Sequence, residues 1–218
     1  MEAFSAILFG FLFYRYSQIP DFGQLLGGCA FAWLMLVVVV IDMETMIIPD
    51  RFSMGGAVIG VLLSVAFPSL HHFHSASEFM NRMGSGLDSV VGLLIGSASL
   101  YWIGILAEKV LKKEALGEGD VKLMGCIGAF CGWQGSIFVI FGGATLGAII
   151  LLPIMLLGRF SSKEGKEGEE GEALSWGQEV PFGPYLALAA LIYLVAIRPW
   201  VDDWFDSLTW VFNQASLG

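Results

Sequence analysis

Residues 22–42, FGQLLGGCAFAWLMLVVVVID, decide the fold class. The stretch has no charged side chain before Asp42. It is also as long as the run of about 20 apolar residues that a helix needs to cross the hydrocarbon core of a bilayer. It therefore predicts a transmembrane helix that ends at a carboxylate.

The composition of the whole chain agrees with a membrane protein. Of 218 residues, 56% are hydrophobic and 14% are charged, whereas a soluble domain has about 25% charged residues. The net charge of -9 leaves no excess of basic side chains to neutralise phosphates, so we expect no nucleic-acid partner. The N-terminus has no basic residue before its apolar run, which favours a retained membrane segment over a secretory signal.

Seven segments are apolar enough to be membrane spans: residues 3–16, 22–42, 52–68, 87–107, 121–132, 135–157 and 180–197. One unbroken helix over 121–157 would extend about 55 Å, against a core of about 30 Å, so we place a break at Gly132 to Gly135. The prediction is a single domain over residues 1–218, an all-α polytopic membrane protein folded as a compact bundle of about seven transmembrane helices. A polar loop at 158–179 and a short tail at 199–218 complete it.

The loops between these spans differ in charge. Eight Lys and Arg lie on one face of the predicted bundle and three on the other. Because basic residues favour the cytoplasmic side, this division places segments 43–51, 108–120 and 158–179 in the cytoplasm. The 158–179 loop holds six glutamates, which predicts a solvated loop or a surface for a basic partner.

Glycine spacing predicts how the helices pack. The chain has 28 glycines, where an average composition would give about 15. Several are four residues apart within predicted spans, namely Gly56 and Gly60, Gly92 and Gly96, Gly128 and Gly132, and Gly143 and Gly147. Small residues at this spacing allow helix backbones to approach closely in lipid.

Two aspartates need explanation beyond solvation. Asp42 ends an apolar span, where the helix carbonyls disfavour a carboxylate; the alternative is a solvated acid at the helix end. Asp120 precedes the apolar run at 121–132 and could be an N-cap. Its neighbours Gly117 and Gly119 would also let another backbone lie close to the carboxylate. Asp50 and Asp88, by contrast, have the pattern of helix-start acids.

The predicted topology places Asp42 and Asp120 at the same depth on the same side. Two carboxyls that share a proton can activate water and protonate the oxyanion, which is the chemistry of an aspartic protease. The sequence contains no GxSxG, no Cys beside a His and no HExxH. The cysteines at 29, 126 and 131 lie in apolar stretches and are interpreted as packing residues.

Three blocks resemble a known family. They are IDMETMIIPD at 41–50, GEGDVKLMGCIGAFCGWQG at 117–135 and VPFGPYLALAA at 180–190. In this order they resemble the type IV prepilin leader peptidases, which are GxGD intramembrane aspartic proteases. The resemblance covers most of residues 20–198. It implies that Asp42 and Asp120 are catalytic, that the substrates are prepilin or pseudopilin proteins with a short basic leader, and that the chain lies in the bacterial inner membrane and cuts at the cytoplasmic face.

The resemblance also bears on residues beside the motif. Gly117 and Gly119 would let the GEGD loop pair with a substrate backbone. Glu118 would attract the basic leader, or is simply an exposed position. Lys122 would tune the protonation of Asp120, or extends its charge to the interface.

Long members of the family have a cytoplasmic domain with paired CxxC motifs that bind zinc, and they methylate the new N-terminus. The chain has no CxxC, so we expect a short form without zinc, other cofactors or N-methyltransferase activity. His71, His72 and His74 in the 69–86 loop could bind a metal, but no Cys or carboxylate cluster accompanies them in the sequence.

Two other functions fit membrane-edge carboxylates. A small transporter or a proton or cation channel would use them to bind ions, but it would predict inverted repeats or spans broken by proline at mid-membrane, which we do not find. A presenilin or signal-peptide-peptidase relative would have a Pro-Ala-Leu motif near the C-terminus, where this chain has PFGPYLAL.

The topology yields a first prediction. A reporter enzyme fused within residues 158–179 should be active in the cytoplasm, because the loop follows an even number of predicted crossings from a cytoplasmic N-terminus. Reporter activity on the outer side would contradict both the orientation and the count of seven spans.

Overall fold

The structure is a computed structural model that describes residues 2–17, 22–71, 77–112, 116–161 and 181–215. These residues form seven α-helices: α1 (Glu2–Ser17), α2 (Phe22–Thr45), α3 (Asp50–Ala66), α4 (Glu78–Leu111), α5 (Glu118–Ser161), α6 (Gly183–Ile192) and α7 (Arg198–Ala215). A 3₁₀ turn at Pro68–His71 precedes α4, and a π-helical turn at Tyr193–Ile197 joins α6 to α7. The predicted all-α fold is confirmed.

The helices have the dimensions and surface of membrane spans. Four of them are long and apolar enough to cross a bilayer: Phe22–Thr45, Glu78–Val110, Glu118–Pro153 and Gly183–Phe205. Large apolar side chains such as Leu94, Trp102 and Phe141 point outward and are exposed, as expected of a protein whose solvent is lipid. The chain is a polytopic membrane protein, and the count of seven crossings stays a prediction.

Helix α5 folds back on itself at Gly132, where the backbone has φ 72° and ψ -176°. Met124 and Ser136, which lie on either side of this glycine, both approach Gly96 of α4. Two residues twelve apart in a straight helix would be about 18 Å apart. The halves of α5 therefore run in opposite directions, and the predicted break between 132 and 135 is confirmed.

Glycine and serine residues pack α4 against the two halves of α5. A Cβ on Gly92 would overlap the carbonyl oxygen of Gly128, so the two backbones are in direct contact. The Ser136 hydroxyl donates hydrogen bonds to the carbonyl oxygens of Gly92 (3.0 Å) and Gly132 (2.9 Å). Ser89 donates to the carbonyl oxygen of Ala129 (2.6 Å). These bonds satisfy hydroxyls that have no water partner in a bilayer.

The other predicted glycine pairs also lie at helix contacts. Gly56 and Gly60 of α3 face Cys126 and Phe130 of α5, and Gly143 in the second half of α5 faces Leu186 of α6. Large side chains fill the remaining core, including Phe31, Phe130 and Tyr193. The packing role predicted from the glycine spacing is confirmed at these positions.

Three boundaries differ from the predictions. Helix α4 begins at Glu78 rather than near 87, so Asp88 lies inside the helix and the prediction of a helix-start acid is wrong there. Asp50 is the first residue of α3, as predicted. The region predicted as a tail from 199 is helix α7, which packs through Val201 and Phe205 while Trp200 and Trp204 are exposed. Of the 158–179 loop, residues 158–161 extend α5 and the rest lies outside the described residues.

A pair of glycine substitutions tests the α4 to α5 contact. Gly92→Ala should lower the melting temperature of the detergent-purified protein, because overpacking of this kind costs about 1–3 kcal/mol. Gly55→Ala is the matched control: a Cβ there would meet nothing within 4 Å, and alanine is favoured over glycine in a helix by about 0.5–1 kcal/mol. Equal melting temperatures for the two variants would contradict the contact.

Candidate active site

Asp42 lies in the last turn of α2 and is 4% exposed. Its Oδ2 atom is buried and has no hydrogen-bond partner among the described residues. Burying a carboxylate oxygen without a partner costs free energy. Such groups are rare in folded proteins and are often retained for chemistry. The alternative of a solvated helix-end acid is wrong for Asp42.

Asp120 lies in the first turn of α5 and is 8% exposed. The N–H of Asp120 donates to the Gly117 carbonyl oxygen (3.1 Å), and a Cβ on Gly117 would lie 3.7 Å from Asp120 Oδ2. Because the helix already begins at Glu118, Asp120 is its third residue and Gly117 precedes the first turn. The N-cap alternative for this residue is therefore wrong.

The structure brings the two carboxyl groups together at one end of the bundle, where they interact electrostatically. The start of α6 closes the site from a third side. A Cβ on Gly183 would lie 2.5 Å from Asp42 Oδ2 and 3.1 Å from Ile48 Cδ1, and a Cβ on Gly119 would lie 3.2 Å from Ile48 Cβ. Only glycine fits at 183 without moving Asp42.

The residues predicted to support the pair lie around it. Gly117 and Glu118 are exposed at the start of α5, and Gly119 is half-buried. The side chain of Lys122 forms an ion pair with Asp50: its Nζ atom is 2.9 Å from Asp50 Oδ1, and the pair connects α5 to α3. The residue roles themselves stay predictions.

Three residues at this site were not predicted: Ile48, Asp50 as a partner of Lys122, and Gly183. The sequence contained a signal for Gly183: a glycine between Phe182 and Pro184, at the end of a polar segment, indicates a place where another part of the protein lies close to the backbone. Nothing in the sequence around Ile48 indicates its contact with two glycines from other helices.

A second polar cluster lies at the opposite end of the bundle. His71 Nδ1 is 2.7 Å from Asp88 Oδ2, and His71 Nε2 is 3.0 Å from Ser64 Oγ. This order resembles a nucleophilic triad, but Ser64 is fully buried and its hydroxyl donates to the Gly60 carbonyl oxygen (2.8 Å). The cluster therefore joins α3, the 3₁₀ turn and α4.

The predicted metal alternative concerned His71, His72 and His74. His72 and His74 lie outside the described residues. Across the parts of the chain that the structure describes, no three His, Cys, Asp or Glu side chains form a group able to hold a metal ion.

The fold and the site define a helical membrane protein with two carboxyl groups buried together at one end. The chain belongs to the type IV leader peptidase family, whose model matches residues 29–152.

Curated relatives are similar over most of the chain. It is 29% identical to the prepilin leader peptidase/N-methyltransferase of Aeromonas hydrophila over 194 residues, covering 87% of this chain and 53% of the relative. It is 26% identical to the protein of that name from Pseudomonas aeruginosa over 214 residues, covering 98% and 60%. The chain thus spans about half the length of the curated relatives it matches. No solved structure is significantly similar to it.

A stability comparison tests whether Asp42 is retained for chemistry. Asp42→Asn should melt at the same or a higher temperature than the wild type, because it replaces a like-charged neighbour of Asp120 with a hydrogen-bond donor. Asp202→Asn is the matched control. Asp202 accepts a hydrogen bond from the Tyr193 hydroxyl (2.7 Å) and pairs with Arg198. Its loss should lower the melting temperature by several degrees, on the scale of about 1–3 kcal/mol. A drop for Asp42→Asn as large as that for Asp202→Asn would show that Asp42 is structural.

Proposed function

We propose that this chain is an intramembrane aspartic endopeptidase that removes the short basic leader from type IV prepilin-like or pseudopilin substrates. The observation that carries the proposal is the pair of buried, interacting carboxyl groups of Asp42 and Asp120. Membership of the type IV leader peptidase family and the names of the relatives support it.

Two carboxyls in this arrangement can hydrolyse a peptide bond without a cofactor. One carboxylate takes a proton from water as the water attacks the scissile carbonyl carbon, and the other carboxyl protonates the oxygen that becomes negative. The first then gives its proton to the amide nitrogen as the C–N bond breaks, while the second takes back the hydroxyl proton as the carbonyl forms again. In this mechanism the two carboxyls share one proton, because two like charges close together in a site poor in water are not both favoured. The pair therefore contains both a base and an acid.

The residues around the carboxyl groups, three glycines and one glutamate, are suited to bind a peptide substrate. Gly117 lies near Asp120 Oδ2, Gly183 lies near Asp42 Oδ2, and Gly119 directly precedes Asp120. Because none of the three has a side chain, an extended substrate that reaches the site can pair with their backbone. Glu118 is exposed beside them and would attract a basic leader. The substrate's own hydrophobic helix would hold the cleavage site at the membrane surface.

The proposed location is the bacterial inner membrane, with the site facing the cytoplasm. This orientation rests on the Lys and Arg distribution. The proposal is confined to the peptidase reaction, because the carboxyl pair explains that reaction and the chain corresponds to about half of each relative.

The central prediction concerns the two aspartates. Asp42→Asn and Asp120→Asn should each abolish cleavage of a prepilin-type substrate in membranes, because an amide can neither accept nor donate the transferred proton. Glu118→Gln should lower the rate modestly, since it removes one attractive charge. Cleavage is measured by the mobility shift of the substrate after leader removal.

Asp203→Asn on the exposed face of α7 is the matched control and should cleave at the wild-type rate. All variants should accumulate in the membrane in similar amounts. Full activity in either Asp42→Asn or Asp120→Asn would show that the two aspartates are not a catalytic pair. A complete loss of activity in Glu118→Gln would show that Glu118 is one of the catalytic acids.

A further inference from the structure

The segment between α2 and α3, residues 46–49, crosses the carboxyl site. Met46 has a positive φ of 52°, which is uncommon for a residue other than glycine and marks a sharp change of direction. Met46 and Ile47 are exposed, Ile47 to 69%, whereas Ile48 is 7% exposed. The segment thus turns one of its two isoleucines outward and the other into the protein.

Ile48 fills the space between the two glycines that border the carboxyls. Its Cβ lies 3.2 Å from the position of a Cβ on Gly119, and its Cδ1 lies 3.1 Å from the position of a Cβ on Gly183. The same position on Gly183 is 2.5 Å from Asp42 Oδ2. The isoleucine side chain therefore takes up the room that the missing side chains of Gly119 and Gly183 leave beside Asp42.

This arrangement keeps a peptide away from the carboxyls. Asp42 and Asp120 are 4% and 8% exposed, yet general acid and base must reach within hydrogen-bond distance of the reacting atoms. Some part of the site must move before a substrate can bind. Residues 46–49 are suited to move, since they lie outside the helices and their hydrogen bonds in the described structure are to residues no more than four positions away, such as the Thr45 hydroxyl with Ile47.

An ion pair holds this segment in place. Asp50 follows Pro49 directly, and its Oδ1 atom is 2.9 Å from Nζ of Lys122, two residues beyond Asp120. Both side chains are partly exposed, so the pair is of the weak, breakable kind. It connects the end of the segment to the helix that bears Asp120.

We propose that Ile48 is a gate residue that covers the carboxyl pair, and that Asp50 and Lys122 are positioning residues that hold the gate closed. An extended peptide reaches the carboxyls when Ile48 withdraws from between Gly119 and Gly183. The identity of that peptide rests on the proposed function, whereas the closed gate does not.

Thiol labelling tests the gate without any substrate. Asp42→Cys places a thiol at the covered position in a Cys29→Ala background, where the remaining Cys126 and Cys131 are buried. Adding Ile48→Ala should raise the rate of maleimide labelling of this thiol in the purified protein by about tenfold, since it removes the cover. Ile47→Ala is the matched control because Ile47 is exposed, and it should leave the rate unchanged. Equal rates in the two variants would overturn the gate.

The same thiol tests the ion pair. Lys122→Gln or Asp50→Asn should each raise the labelling rate by about twofold to fivefold, the scale of an exposed ion pair. The charge exchange Asp50→Lys with Lys122→Asp should return the rate toward that of the parent. Single variants without effect, or an exchange that does not restore the slow rate, would overturn the positioning role.

Cleavage kinetics separate the gate from the proposed function. With Asp42 intact, Ile48→Ala should lower KM and leave kcat within about twofold, because a larger fraction of the protein is open to substrate. A raised KM would show that Ile48 binds the substrate instead of covering the site. If Asp42→Asn still cleaves, the peptidase proposal fails while the labelling result stands. If Ile48→Ala labels no faster than Ile47→Ala, the gate fails and the peptidase proposal stands.

Discussion

The reversal of α5 at Gly132 is the constraint on which the arrangement of the bundle depends. The positive φ at this residue is open to glycine and strained for other side chains. The close approach of Gly92 and Gly128 allows α4 to lie against the reversed chain. Because the halves run in opposite directions, the start of α5 and the start of α6 reach the same end of the molecule. That end is where Asp120 and Gly183 meet Asp42.

The two ends of the bundle differ in how their buried ionisable groups are paired, although the hydroxyls of Ser53 and Ser85 also lack a partner among the described residues. At the end that contains the reversal, His71 is bonded to Asp88 and Ser64, and Arg198 donates to the Leu70 carbonyl oxygen (2.5 Å). At the other end, Asp42 Oδ2 has no partner among the described residues, and the carboxyl of Asp120 is near enough to interact with it electrostatically. A fold selected for stability alone would pair or remove such a group. The contrast supports a chemical role for the end with Asp42.

Much of the architecture was predictable because lipid imposes a length and a composition on each helix. The apolar run before Asp42, the break near Gly132 and the glycine pairs at helix contacts are all local patterns. The missed features depend on which residues from distant segments meet. No residue near Lys122 in the sequence indicates that its partner is Asp50. Asp88 was predicted to start a helix because the first turns of α4 are polar and do not have the apolar pattern of a membrane span. The burial of Ile48 likewise depends on glycines from α5 and α6.

Whether the two carboxyls act as a unit can be measured from the cleavage rates of four purified proteins on one defined prepilin-type peptide: wild type, Asp42→Asn, Asp120→Asn and the double variant. If the two carboxyls act as a unit, each single variant should cleave about a thousandfold more slowly or worse, and the double variant should cleave no more slowly than either single variant. A single variant that keeps most of the activity, or losses that multiply in the double variant, would show that the two carboxyls do not act as a unit.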